Sequence, residues 1–366
     1  MATIIGTNGN DVRNGTASTD TIVGRAGNDR LSGLGGNDRL NGGTNNDRLD
    51  GGTGTDTADY SNIFLGGTIG TTYIGATAGV NVHLDLSGEQ DTGGAGRDTL
   101  VSIENLIGTN FNDRLTGNGG SNLLSGLNGN DILVGNGGAD QLFGGNGNEF
   151  LNGGLGDDIL NGGTGTDWAD YSTGTDKGRA FEGALGSVVI DLNLGFQDTF
   201  GSGFDTLVGI ENVLGTNFGD DLIGNGGNNV LFGSGGNDFL IGGGGNDTLN
   251  GGSGADSLTS GSGINTFVYR AVSDSESGGG DRDTIEDFFS SSDDIDLRGI
   301  DADSTVSGNQ AFAYIDDLPF LSFLPGELRY DNVTGILQGN TDNDAAAEFE
   351  VLLAGAPSLF VSDLLL

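Results

Sequence analysis

Cysteine is absent from these 366 residues, histidine and lysine occur once each (His83 and Lys177), and proline occurs three times. Each shortage excludes something. Without cysteine there is no disulfide scaffold, and without cysteine or a second histidine there is no zinc framework. One histidine cannot supply the His-Glu-x-x-His of a zinc protease, and no nucleophile elbow accompanies it for Ser-His-Asp chemistry. Lys177 alone cannot complete a Gly-x4-Gly-Lys-Ser/Thr phosphate loop, and the many Gly-x-Gly-x-x-Gly matches open no helix in a βαβ unit. Cations are scarce: 13 Lys plus Arg stand against 52 Asp plus Glu, a formal net charge of −39. That balance argues against nucleic acid as a partner and against an anionic membrane. No apolar run reaches transmembrane length, so membrane insertion is not expected. Met1-Ala2-Thr3-Ile4-Ile5 runs straight into the first repeat, so a Sec signal peptide is not expected. Acids are so common that a pair of carboxylates suited to glycosidase work carries no information.

What abounds is glycine, 74 residues, and it is periodic. Asp11, Asp20, Asp29, Asp38, Asp47 and Asp56 stand nine residues apart, each five places after a glycine. The frame returns with Asp113, Asp131, Asp140, Asp158 and Asp167, and again with Asp220, Asp238, Asp247 and Asp256. Nineteen nonads follow Gly-(Gly)-x-Gly-x-Asp-x-Leu-x, in arrays of six, seven and six. The sixth position is Asn at Asn122, Asn229 and Asn265 and Glu at Glu149, and Arg13 replaces the Leu of the first nonad. A fixed period this short marks a solenoid. Six glycine-rich residues suit a turn, and x-Leu-x suits a three-residue strand with one buried face. Two nonads then make one coil, and parallel stacking at about 4.8 Å sets the Leu of one nonad over the Leu two nonads on.

The aspartates line up in the same way, in a ladder along each edge. Like charges one strand spacing apart repel, and a cation between them relieves the repulsion. Calcium is the ion expected, because it takes six to eight oxygens from carboxylates and carbonyls. If every nonad pairs with the one two places on, the arrays offer at most about thirteen sites. Thirteen Ca²⁺ would bring about +26 and leave the net charge near −13. Without ions, so much charge on so modest a hydrophobic content favours disorder.

The nonads resemble those of RTX proteins, the secreted bacterial toxins, proteases and lipases that carry calcium β-rolls. The resemblance implies a right-handed parallel β-roll. It also implies that the sixth-position Asp and the carbonyls of about the second and fourth positions hold the ion. On this chain the best matches are Gly52, Gly54 and Asp56; Gly154, Gly156 and Asp158; Gly163, Gly165 and Asp167; Gly243, Gly245 and Asp247; and Gly252, Gly254 and Asp256. Sites that use Asn122, Asn229 or Asn265 are expected to be weaker or empty.

A longer repeat overlies the nonads. Gly51–Ser61 returns as Gly162–Ser172, and Asp98–Phe111 returns as Asp205–Phe218. Two related inserts therefore separate the arrays. Each opens with Asp-Tyr-Ser, holds an alternating strand (80–86; 188–192), passes a Gln-Asp-Thr, and ends in Asp-Thr-Leu-Val-x-Ile-Glu-Asn. They are expected to be extra coils of the solenoid with longer excursions. His83 is expected to be a solvent-facing strand residue. Trp168, Tyr60 and Tyr171 would cap the core where the loops leave it, or form a sugar-stacking surface.

From about Phe267 aromatic and aliphatic residues become frequent. Asp281–Phe288, Asp294–Leu297, Gly326–Asp331 and Gly339–Phe349 resemble the C-terminal region of serralysin-type secreted proteases. That resemblance implies a β-sandwich-like cap and an uncleaved signal for a type I (ABC) exporter, with Val361–Leu366 as its ending. Asp342-Asn343-Asp344 is similar to a calcium loop but lacks the following Gly, and it is not an EF-hand.

The expected architecture is thus all-β: array 1 (1–58), a β insert (59–107), array 2 (108–169), a related insert (170–214), array 3 (215–268) and the cap (269–366). The expected function is a secreted, extracellular, non-enzymatic calcium-binding protein, structural or surface-associated, with calcium and the exporter as partners and a cell-surface or extracellular polysaccharide as a further candidate. The alternatives are an extracellular enzyme or carbohydrate-binding protein acting through the inserts, and the secretion and calcium module of a serralysin-like hydrolase.

Overall fold

A computed structural model describes residues 1–64, 72–73, 75–176, 179–181, 183–278, 280–321 and 324–366. Lys177 and parts of the first insert and of the cap lie outside the described residues. Two compact units emerge. One holds Met1–Leu185 with Ser202–Ile210, the other Gly186–Gly201 with Glu211–Leu366. Among the described residues there is no α-helix, only two short 3-10 turns at Val272–Asp274 and Val361–Asp363.

The nonad folds as its pattern dictates, turn first and strand last. In the first unit Ile22 pairs with Leu40 and Leu31 with Leu49, each eighteen residues on and in parallel. Leu115, Leu133 and Leu151 form one stack in the second array, and Leu124, Leu142 and Leu160 the other. In the second unit the stacks are Leu222, Leu240, Leu258 and Leu231, Leu249, Phe267. All these side chains are fully buried. Odd and even nonads thus supply two facing columns, and the core of each unit is the seam between them. A strand of three residues has almost no intrinsic stability, so the stacking of identical leucines carries it.

The first insert interrupts one column only. Leu100 closes the stack above Leu49, and Val82 opens a new one below Leu115. The opposite column runs through, with Ala58 on Leu106 and Leu106 on Leu124. The second insert repeats both halves of this arrangement: in the first unit Leu207 closes on Leu160, and in the second Ile190 opens beneath Leu222. Asp-Tyr-Ser is an Asx turn that launches each excursion. Ser61 N–H donates to Asp59 Oδ1 and Ser172 N–H to Asp170 Oδ1, both at 2.9 Å. Tyr60 and Tyr171 are buried at these exits. Trp168 does something different: it stacks on Phe150 along the second array, 5.5 Å between centroids and 6° between planes.

His83 corrects its expected place. It is only 5% exposed, and Gln90 clasps its backbone. His83 N–H donates to Gln90 Oε1 at 2.8 Å, and Gln90 Nε2 donates to the His83 carbonyl at 3.0 Å. In the related insert Gln197 accepts the Asp191 N–H at 2.7 Å. The Gln of Gln-Asp-Thr is therefore a backbone clasp.

In the cap Ile285 continues the column of Leu258 and Ile295 that of Phe267. Leu353 and Leu364 follow in parallel on Ile285 and Ile295. Three antiparallel strands, Glu327–Asp331, Ile336–Asn340 and Phe349–Leu353, then extend one sheet, with Ala313–Tyr314 in parallel at its edge. Tyr269 packs edge-on against Phe349 at 5.1 Å and 76°.

Candidate metal centres

All fifteen sixth-position aspartates are buried, none more than 9% exposed. Their two oxygens meet different fates. One accepts the backbone N–H of the sixth residue in the neighbouring turn: Asp11 N–H donates to Asp29 Oδ1 at 2.7 Å, Asp20 to Asp38 at 2.7 Å, Asp29 to Asp47 at 2.8 Å and Asp38 to Asp56 at 2.7 Å. Asp113 to Asp131, Asp140 to Asp158, and Asp220 to Asp238 repeat it at 2.7–2.8 Å, and Glu149 N–H donates to Asp167 at 2.9 Å. The ladder is thus partly satisfied by the main chain itself.

The other oxygen is left over. In Asp29, Asp38, Asp47, Asp56, Asp131, Asp140, Asp158, Asp238, Asp247 and Asp256 the Oδ2 atom is buried without a hydrogen-bond donor, and in Glu149 both oxygens are. An unpartnered buried carboxylate oxygen is costly, and burial drives these groups toward the neutral acid. It pushes Asp47 and Asp238 up to about 8, Asp131, Asp140 and Asp158 to about 7, and Asp247 to about 6. Burial raises Asp29, Asp38 and Asp56 as well.

In the first coil of each array that oxygen finds donors. Thr7 N–H and Oγ1–H both donate to Asp11 Oδ2, at 2.6 and 2.9 Å, and Thr16 treats Asp20 likewise at 2.6 and 2.7 Å. Thr109 and Thr216 donate N–H to Oδ2 and hydroxyl to Oδ1 of Asp113 and Asp220, although burial still raises both carboxyls. The hydrogen bonds from the Thr7 and Ala2 N–H groups hold Asp11 and Asp20 below the usual carboxylate range.

Glycine shapes the rest of the cradle. All ten predicted glycines have φ between 92° and 143°, in the left-handed region. At Gly52 and Gly54 a β-carbon would also collide with the carbonyl oxygens of Leu34 and Gly36 in the turn below. Second- and fourth-position carbonyls therefore point from one turn into the next, while the spare carboxylate oxygens crowd the first-position glycines, as Asp38 Oδ2 does at Gly33. A hard cation taking several oxygens matches this donor set. The Asn positions are built differently. Asn122 Nδ2 donates to the Glu104 carbonyl and Asn229 Nδ2 to that of Glu211, each at 2.7 Å, and Asn265 Nδ2 donates to Asp293 Oδ1 at 3.2 Å.

The nonad frame as read from sequence stopped short. Residues 93–101 and 200–208 are hidden nonads in the inserts, and 278–286 is another in the cap. Asp98, Asp205 and Asp283 take the next rung, accepting the N–H of Asp47, Asp158 and Asp256 at 2.8, 3.0 and 2.9 Å, and Glu104 accepts that of Asp56 at 2.7 Å. Gly96-x-Asp98 and Gly203-x-Asp205 were the available signal. A buried tyrosine faces each of these rungs. Tyr171 Oη–H donates to Asp205 at 3.3 Å. Burial and then Asp98 or Asp283 hold the hydroxyls of Tyr60 and Tyr269 protonated well beyond the usual range. A second ladder also went unread: fifth-position Asn28, Asn112, Asn130 and Asn246 each accept, through Oδ1, the N–H eighteen residues on.

In the cap, carboxylate oxygens of Asp342, Asp344 and Glu348 lie within 4.8 Å of one another. Thr341 N–H donates to Glu348 Oε2 at 2.7 Å, and Asp344 N–H to Asp342 Oδ1 at 2.9 Å.

The RTX calcium-binding nonapeptide repeat (4 copies) matches residues 5–40, 23–58, 107–142, 143–177, 214–249 and 232–267. No curated protein matches the chain. Among solved structures it is similar to the solution structure of the AlgE6R3 subunit of a mannuronan C5-epimerase from Azotobacter vinelandii, with 28% identity and a TM-score of 0.29 over 40% of this chain and 78% of that one. It is also similar to the extracellular lipase LipA of Serratia marcescens, with 17% identity and a TM-score of 0.23, over 74% of this chain and 44% of the lipase. The three arrays are RTX calcium-binding nonapeptide repeats folded as a β-roll.

Proposed function

We propose that this protein is secreted with its roll unformed and folds on meeting extracellular calcium, serving outside the cell as a structural or surface-associated calcium module and not as a catalyst. The observation that carries the reading is the row of buried carboxylate oxygens with no donor, in glycine turns whose second- and fourth-position carbonyls point from coil to coil. The ions would be held between turns by Asp29, Asp38, Asp47, Asp56, Asp131, Asp140, Glu149, Asp158, Asp167, Asp238, Asp247 and Asp256 with second- and fourth-position carbonyls. Calcium would supply the positive charge that the chain lacks.

Three further observations favour it. Extracellular calcium modules bind at roughly 10⁻⁴ to 10⁻³ M, far above cytosolic free calcium, so the ladder would stay unfilled before export. At free calcium ten times a site's dissociation constant, each ion adds about 1.4 kcal/mol to the folded state. The terminal residues that resemble an export signal are part of the folded sheet: Leu364 pairs with Ile295 and is 6% exposed. An exporter would therefore have to read them before the cap closes. The test is far-UV circular dichroism of the chelated chain before and after millimolar calcium, together with localisation in the culture supernatant. A large gain of β signal on adding calcium, and recovery outside the cell, are expected; an unchanged spectrum refutes the reading.

A further inference from the structure

The first array departs from the other two in its cations. Arg13, Arg25, Arg30, Arg39 and Arg48 all fall within it, whereas residues 108–169 hold only Arg114 and residues 215–268 hold none. In a chain with 13 cations against 52 acids, that concentration is local and specific. Arg30 and Arg48 sit directly opposite one another on adjacent parallel strands, and Thr99 lies opposite Arg48 on the next. Like charges in that register destabilise a sheet unless something of opposite sign lies between them. Together with Arg97 they line an open depression of about 290 Å³, whose wall also carries Glu89 and Asn46.

We infer that this depression is a binding site for an oxyanion, a carboxylate or sulfate group carried by a small molecule or a single sugar residue. Guanidinium groups present planar forks of N–H donors that match such groups bidentately. Arg97 Nε is engaged by Glu89 Oε1 at 3.1 Å and Arg48 Nη2 by Asp50 Oδ2 at 3.1 Å, both at the exposed surface, where such pairs contribute little and are exchanged readily. The carboxyls of Asp29 and Asp47 at the floor belong to the proposed calcium ladder, so ion loading makes the site more positive. The remaining acidity of the chain disfavours a long polyanion. Beyond a screening length of about 8 Å at physiological salt, however, it does not reach a single group seated between the arginines.

The test is calorimetric titration of the calcium-loaded chain with sodium sulfate, sodium glucuronate and, as a neutral control, glucose. Saturable binding of either anion is expected, with no binding of glucose, at least a tenfold loss in Arg30→Gln and a severalfold gain in Glu89→Gln. Arg298→Gln, outside the site, should change nothing. Glucuronate binding without sulfate would identify a sugar acid as the ligand, and sulfate without glucuronate a free inorganic anion. Binding of neither anion, or affinities that Arg30→Gln and Glu89→Gln leave untouched, would overturn the assignment. Calcium affinity measured on the same samples keeps that outcome separate from any failure of the ladder.

Discussion

At the scale of single residues, the two oxygens of one carboxylate do different work, and substitutions should separate them. Asp140 Oδ1 accepts the Asn122 N–H at 2.7 Å while its Oδ2 has no donor. Asp140→Asn keeps the first contact and removes the charge. It should release one calcium and lower stability by about 1.4 kcal/mol at calcium tenfold above the site constant, read by calorimetry and thermal melting. Asp20→Asn is the contrast: both oxygens of Asp20 already have donors, from Thr16 and from Ala2, and calcium stoichiometry should not change. Leu34 offers a gain. It holds φ at 73° and is 53% exposed, so Leu34→Gly removes left-handed strain of about 1–2 kcal/mol at some cost in chain entropy. A melting point raised by the equivalent of about 1 kcal/mol in calcium is expected, and a lowered one would show that Leu34 packs usefully.

At the scale of elements, the array ends carry the information. In one column of each nonad array the last rung passes to a carboxylate faced by a buried tyrosine, Asp98 by Tyr60, Asp205 by Tyr171 and Asp283 by Tyr269. Tyr171→Phe should leave Asp205 without its hydroxyl donor and cost about 1–2 kcal/mol, measured by melting in calcium; no loss would remove the tyrosine from this role. These ends were also where sequence reading ran out. Leucine at every ninth residue dictated the columns, because only one register buries them all. The inserts hid their nonads because residues 200–208 lack the leading glycine and Ser102–Ile107 compress a nonad into six residues. His83 looked like an exposed strand position because nothing in its own segment shows that it is buried, nor that Gln90, seven residues on, clasps its backbone. The Asp ladder was legible from spacing, but its backbone hydrogen bonds and the counter-running Asn ladder depend on where an N–H points, which periodicity alone does not encode.

At the scale of the whole molecule, the chain is a polyacid whose fold concentrates its own charge. In the ion-free state the ladder carboxyls have folded pKa values raised above those of the unfolded chain, so folding takes up protons. Their destabilising effect is absent below about pH 4, where they are neutral in both states, and grows as pH rises toward about 8. The chelated chain should therefore gain β structure on acidification from pH 8 to 4, followed by circular dichroism, whereas millimolar calcium should hold the roll together at pH 8. A chelated chain that is equally folded at both values would show that the buried oxygens carry no such burden. Acid can do for the ladder what calcium does, by a different route, because both remove the charge that the turns bury.

Calcium stoichiometry and folding measured together on one sample test the central claim most directly. Titration calorimetry run alongside far-UV spectra should show between about ten and thirteen ions taken up per chain as β signal appears, both lost again on adding chelator. A chelated chain that stays compact and melts cooperatively at neutral pH, or a folded chain that takes up only one or two ions, would contradict the account.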